Sequence, residues 1–253
     1  MESMKSRLHI STVAPDARRT ALEFGLGVEL AEFCTAMNMD TDFARWDGAA
    51  RANLEGITRA VFHAPFNELC PAAIDPKVLE IAKSRYAQSY ALARAYGINR
   101  MVVHSGYVPL IYFKEYFAER SVEVWREFLC DKPADALFFL ENVLEDEPEL
   151  LRGIVEGVGD PRFRLCLDIG HANTIVSELP ISQWINRCAP VLGHVHLHNN
   201  YRAWDHHNAL GDGTIDMRAA LRLLAEAAPG VTYTIESQRN RDSVLWLAEE
   251  GFL

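Results

Sequence analysis

Short apolar runs rich in β-branched and aromatic residues alternate with longer stretches of helical periodicity along the chain, and this alternation is what most limits the fold. The runs lie at 8–13, 27–34, 60–63, 100–104, 136–141, 163–168, 192–197 and 231–236. Between them, apolar spacing predicts helices at 76–96, 115–129, 148–158, 181–188 and 217–227, with 242–250 closing the chain. A strand followed repeatedly by a helix builds a parallel sheet, because parallel neighbours need a long crossover connection. The punctuation agrees with this reading. Asp75 precedes Pro76 as an N-cap followed by an N1 proline, and Gly97 follows the same helix at C′. Eight strand–helix units close on themselves as an α/β fold, a single (β/α)8 TIM barrel, which needs about 250 residues. With no linker or low-complexity tract in 253 residues, one domain is expected over 1–253. An open doubly wound sheet is the competing arrangement.

The five cysteines, Cys34, Cys70, Cys130, Cys166 and Cys188, are odd in number and never form a CxxC pair. That usage fits reduced thiols rather than a disulfide framework or a cysteine zinc site. No uncharged stretch approaches the roughly 18 residues of a membrane span, and the apolar run near the start is too short for an export signal. A soluble, cytoplasmic protein is therefore expected. The net charge of −10 argues against a broad nucleic-acid face.

In a barrel of this kind the chemistry sits at the C-terminal strand ends. Six successive runs end in a metal-capable side chain: His63 in VFHAPF, His104 in MVVHSG, Glu141 in LFFLENV, Asp168 in LCLDIGH, His196 in GHVHLHNN and Glu236 in YTIESQ. Carboxylates converging in one mouth repel each other unless a cation or protons neutralise them. A mixed imidazole and carboxylate set suits Zn, Mn, Co or Fe better than Mg or Ca. His171 lies three residues after Asp168 and can reach the same mouth, and Asp205 and His207 form an i, i+2 pair in the turn-rich WDHHNALGDG. His194, His196 and His198 share one face of their strand by its period of two, and spacing leaves open which of them stands at ligand height. The aromatic run at Tyr107, Tyr112, Phe113, Tyr116 and Phe117 reads partly as a buried helix face, with its first members free to wall the mouth. No GxSxG, GxxxxGK[ST] or GxGxxG motif is present.

HAPFNEL, VVHSG, LEN, CLDIGH, HVHLHNN, DHHNALGDG and IES together resemble the xylose isomerase-like TIM-barrel superfamily, which also contains endonuclease IV, or AP endonuclease family 2. The resemblance covers nearly the whole chain, and HSGYVPLIY and GHVHLHNN resemble its sugar phosphate isomerase/epimerase type. In the isomerase and epimerase branch it implies one divalent ion held by Glu141, Asp168, His196 and Glu236, which singles out His196 and leaves His194 and His198 supporting or core roles. It also implies that Glu141 and Glu236 exchange the substrate proton, and that Arg202 contacts substrate. In endonuclease IV it implies three zinc ions on nine ligands, matched here by His63, His104, Glu141, Asp168, His171, His196, Asp205, His207 and Glu236. The departures from that nuclease are CTAMNMDTD, which lacks basic residues, and Phe66 in place of a tyrosine.

The expected function is thus a metal-dependent isomerase or epimerase acting on a small polyhydroxylated carbonyl compound, by proton transfer through an enediolate. Glu141 and Glu236 are its acid/base pair, and His63, His104, His171 and Arg202 face the substrate. One divalent ion is expected, with up to three possible. An endonuclease IV-like phosphodiesterase, the only reading with a nucleic-acid partner, and a non-catalytic sugar- or metal-binding barrel are the alternatives. A homo-oligomer is compatible with all three.

Overall fold

The computed structural model describes residues 4–253 and gives every β-rich run a strand. The strands are β1 (Leu8–Ser11), β2 (Gly27–Leu30), β3 (Ala60–His63), β4 (Arg100–His104), β5 (Leu137–Glu141), β6 (Phe163–Asp168), β7 (Leu192–Leu197) and β8 (Thr232–Ile235). All pair in parallel with their sequence neighbours, and β8 pairs with β1, so the sheet is a closed barrel. The barrel expected from the alternation is therefore the observed fold; residues 1–3 lie outside the described residues. Around it run α1 (Ala17–Phe24), α2 (Met37–Asp40), α3 (Phe43–Leu54), α4 (Pro76–Ala95), α5 (Lys114–Leu129), α6 (Glu149–Val158), α7 (Ile181–Cys188), α8 (Met217–Ala227) and α9 (Asn240–Glu249). Among the described residues no helix is long and apolar enough to cross a membrane.

Three apolar runs continue past the strands they contain. The first two, 8–13 and 27–34, leave the sheet after Ser11 and Leu30 because a side chain takes over from the ladder: Ala31 N–H donates to Thr12 Oγ1 at 2.9 Å. Likewise Glu236 falls one residue beyond β8. The helix signals act as written. Asp75 accepts from Lys77 N–H at 2.8 Å with Pro76 in the first turn, and Gly97 follows α4 in the left-handed region at φ 76°.

Two layers of core result. Between barrel and helices lies a large apolar cluster that includes the fully buried Trp125 of α5 and Trp184 of α7. Helix α6 contributes Leu151, Ile154, Val155 and Val158, spaced so that one face is buried. Inside the barrel a smaller cluster joins Val61, Val102, Phe139 and Cys166. Each of these stands two residues before a polar strand end: His63, His104, Glu141 and Asp168. Strand alternation therefore places those four side chains on the same inward face, one layer above these apolar residues.

Two glycines separate space from propensity. A Cβ on Gly27 in β2 would fall 2.3 Å from His9 Cδ2 and 2.8 Å from the Arg59 carbonyl oxygen, whereas Gly48 in α3 has nothing within 4 Å. Gly27→Ala should therefore cost ~1–3 kcal/mol by overpacking, and Gly48→Ala should gain ~0.5–1 kcal/mol of helix stability. Urea unfolding should move the two midpoints in opposite directions; a shift of the same sign in both would contradict this account.

Candidate metal centre

Four strand ends meet at His196. Its Nδ1 stands 3.1 Å from Glu141 Oε1, 3.1 Å from Glu236 Oε2 and 3.7 Å from Asp168 Oδ2. One potential ligand atom from each of Glu141, Asp168, His196 and Glu236 lies within 4.8 Å of all the others. The barrel register produces this convergence: Asp168 pairs with His196 across β6 and β7, and His104 with Glu141 across β4 and β5. Asn142, following Glu141, locks the adjacent ends together by accepting from Asp168 N–H at 2.8 Å and donating to the Asp168 carbonyl at 3.0 Å. Glu141, Asp168 and His196 are fully buried.

A second set shares Glu141. Its Oε2 faces Nε2 of His63 at 3.5 Å and of His104 at 3.3 Å, yet that buried oxygen has no hydrogen-bond partner. His63 Nδ1 lies 2.9 Å from the Ala64 carbonyl. A carbonyl only accepts, so Nδ1 carries a proton, and Nε2 faces the carboxylate either with a second proton or, in the neutral ring, with the lone pair a metal ion would take.

The third set lies in the loops after β6 and β7. His171 Nδ1 donates to the Asn142 carbonyl at 2.8 Å and His207 Nδ1 to the Glu236 carbonyl at 2.7 Å. Their Nε2 atoms then face Asp205 Oδ2 at 3.2 and 2.7 Å. His198, which spacing could not separate from its neighbours, belongs here: it is within ligand reach of His171, Asp205 and His207. It stacks on His207 at 4.0 Å, and its buried Nδ1 has no hydrogen-bond partner. Gly170 makes room for it, since a Cβ there would lie 1.9 Å from His198 Cε1.

Glu29 escaped the sequence reading. It sits inside β2, fully buried, with Oε1 3.1 Å from His196 Nε2. Thr234 Oγ1 donates to its Oε2 at 2.6 Å. A carboxylate on the far nitrogen of a metal-facing imidazole fixes the tautomer and ring orientation. The available signal was a lone charge at an inward position of an otherwise apolar strand, GVEL. His194 lies one layer lower, between Thr232 and Thr234 hydroxyls at 2.6 and 2.9 Å. Arg202 is not brought into the cluster: its guanidinium donates to the Ser177 carbonyl at 3.1 Å. Tyr107 and Tyr112 wall a cavity beside the mouth that also touches Phe66 and His104, whereas Phe117 is core.

The electrostatics favour positive charge among these acids. Burial would raise the Glu141 carboxyl, but the charges of His196 and His104 outweigh it and hold it well below the usual carboxylate range. Burial likewise opposes charge on His63, and the carboxylate of Glu141 overrides it, pushing the ring up to about 9. His207 reaches about 9 as Asp205 outweighs burial in the same way. Imidazole lone pairs aimed at carboxylate oxygens repel unless a proton or a metal ion stands between them. The unpartnered Glu141 Oε2, the carbonyl-fixed tautomers of His63, His171 and His207, and the mixed N and O donors all fit a divalent ion of the Zn, Mn, Co or Fe kind.

The site opens into a cavity of about 360 Å³ bounded by Phe66, Cys34 and Val13 as well as by His63, His171 and Glu236. Comparison with known proteins agrees with the fold. A structure of a Thermus thermophilus protein soaked with ZnCl2 is 25% identical, covers 98% of each chain and superposes with a TM-score of 0.75. A D-tagatose 3-epimerase-like protein is 23% identical over 96% of each chain, with a TM-score of 0.76. An uncharacterized protein of Methanocaldococcus jannaschii is 27% identical over 194 residues, 73% of this chain, which spans 66% of that relative's length. The family described as xylose isomerase-like TIM barrel matches residues 25–250, and the chain belongs to it.

Proposed function

We propose that the protein is a divalent-metal-dependent isomerase or epimerase that moves a proton on a small polyhydroxylated carbonyl compound such as a ketose. The observation that carries this reading is the meeting of two carboxylates from separate strand ends at one point: Glu141 Oε1 and Glu236 Oε2, each 3.1 Å from His196 Nδ1. The small adjoining cavity, about 360 Å³, is of a size to enclose a sugar-sized molecule rather than a polymer. The shared fold of the D-tagatose 3-epimerase-like protein supports a sugar as the substrate class.

Glu141, Asp168, His196 and Glu236 would hold the ion, which when bound would polarise a substrate carbonyl and so acidify the neighbouring C–H. Glu236, one residue beyond β8, lines the cavity, and the fully buried Glu141, at the end of β5, meets the same nitrogen of His196; one carboxylate would take a proton while the other returns one. Asp168 would serve as a ligand only; His171 N–H donates to its Oδ1 at 2.7 Å and His198 Nε2 lies 3.0 Å from the same atom. Glu29 holds the His196 ring in place from behind. His63, His104 and His171 border the cavity and can bind substrate hydroxyls, and Arg202 would have to swing away from Ser177 to join them.

The adjoining, overlapping donor sets favour one second reading, hydrolysis of a phosphodiester at a multi-ion centre. Metal stoichiometry separates the two. In elemental analysis of the purified protein, replacing both Asp205 and His207 by Ala should leave one ion per chain and keep isomerase activity. A wild type holding three ions and cleaving abasic-site DNA at the rate of a repair nuclease would establish the second reading instead.

Proton transfer has its own test. Glu236→Gln keeps the side-chain shape and one oxygen donor but removes the base, and general acid/base catalysis contributes roughly 100-fold to 10,000-fold. Metal content should stay while turnover falls by about that factor. In deuterated water, exchange at the reacting carbon should persist through Glu141 while inversion fails. Wild-type turnover in this variant with its metal retained would end the two-glutamate mechanism.

A further inference from the structure

The opposite end of the barrel carries a second, larger cavity of about 650 Å³, lined by Arg7, Arg59 and Arg100 together with His9, Asn99 and Thr232. Among the described residues no Asp or Glu lines it, although the chain as a whole has 35 acidic residues against 25 Lys and Arg. Arg7 and Arg59 directly precede β1 and β3, and Arg100 opens β4. Arg100 shares its strand face with Val102, part of the barrel's inner cluster, so alternation directs it inward. Val61, Val102, Phe139 and Cys166, with Glu29 and His194 at the same level, lie between this floor and the metal-facing mouth.

Among the described residues the three arginines form no ion pair with a carboxylate. Several guanidinium groups elsewhere meet carboxylates, as Arg94 meets Asp135 at 3.0 Å and Arg187 meets Glu149 at 2.9 Å, while Arg126 and Arg164 donate to backbone carbonyls. Arg7 donates to the carbonyls of Pro229 and Val231, at 2.6 and 2.7 Å, and lies over the Tyr233 ring at 5.7 Å. Arg59 donates only to those of Lys5 and Gly25, at 3.4 and 3.1 Å. The Nε of each is buried with no partner. Arg100 is partly desolvated, and among the described residues no hydrogen bond or ion pair engages it. Its titratable neighbour His9 offers no compensation: burial first, then His194, with Arg100 adding to both, push that ring down to about 3. Like charges around a half-enclosed space repel unless an anion sits among them, and the planar guanidinium fork matches an oxyanion's geometry.

We propose that this floor cavity binds a small oxyanion, inorganic phosphate or the phosphoryl group of an ester, through Arg7, Arg59 and Arg100. The Asn99 amide adds a neutral donor, and Leu54, Ile57 and Ile98 on the same wall leave room for the organic part of an ester. The site is independent of the metal centre and of the reaction proposed there.

Calorimetric titration of the full chain with inorganic phosphate and with glycerol 1-phosphate, at ionic strength held constant with chloride, tests the assignment. Saturable one-site binding is expected, and Arg100→Gln should weaken it about tenfold or more, the worth of a charged hydrogen bond. Arg59→Gln, on the outer side of the cavity, should weaken it in the same direction and serves should Arg100→Gln fail to fold. Tighter binding of the ester assigns the site to phosphate esters, and equal binding assigns it to the free oxyanion. Absence of saturable binding in the wild type, or unchanged affinity in the folded variants, overturns the proposal.

Discussion

Everything at the mouth of this barrel depends on neutralising carboxylates that are buried side by side. Glu29, Glu141 and Asp168 are fully out of solvent, and Glu236 is nearly so. Isolated, each ionised group would carry a penalty of several kcal/mol in such surroundings. They are tolerated because His63, His104, His171, His194, His196, His198 and His207 stand among them, at separations such as the 3.1 Å from His196 Nδ1 to two different carboxylates. Protonated imidazoles can supply the positive charge, and so can divalent ions. Backbone carbonyls hold the Nδ1 protons of His63, His171 and His207, so the Nε2 of each ring faces an acid.

The fold makes this arrangement possible at the level of the strand. An inward position two residues deeper on β3, β4, β5 and β6 is apolar, in Val61, Val102, Phe139 and Cys166, while in the same layer β2, β7 and β8 place Glu29, His194 and Thr232, so the polar mouth rests half on apolar packing and half on buried polar groups. Hydrogen bonding between Asn142 and the Asp168 backbone ties neighbouring strand ends, and the same asparagine's carbonyl orients His171. Glycines absorb the crowding: Gly170 gives way to the His198 ring and Gly27 to the His9 ring. The barrel thus has a cation-seeking mouth and, beyond that layer, an anion-seeking floor lined by arginines.

Much of this was legible in the sequence because a polar residue that ends an apolar β-rich run is conspicuous. His63, His104, Glu141, Asp168, His196 and Glu236 announced themselves that way, and the barrel followed from the strand–helix alternation. Glu29 did not, because it lies within its strand and its purpose appears only when β2 comes to face His196 across the barrel. His198 shares the period of His194 and His196, so only the height of each ring along the barrel separates a ligand candidate from a support. The runs at 8–13 and 27–34 looked like longer strands, since apolar character continues where the Thr12 hydroxyl has replaced the ladder. The floor arginines lay at strand beginnings, where charge is unremarkable until the closed sheet gathers them.

The central claim is that the mouth exists to hold a divalent ion among Glu141, Asp168, His196 and Glu236. Anomalous diffraction from crystals of the protein grown with manganese or zinc tests it most directly. The account predicts an anomalous peak bonded to all four side chains, at roughly the 2.0–2.3 Å of known zinc ligands. A site left empty at saturating metal, with the four side chains in the same positions, would contradict it.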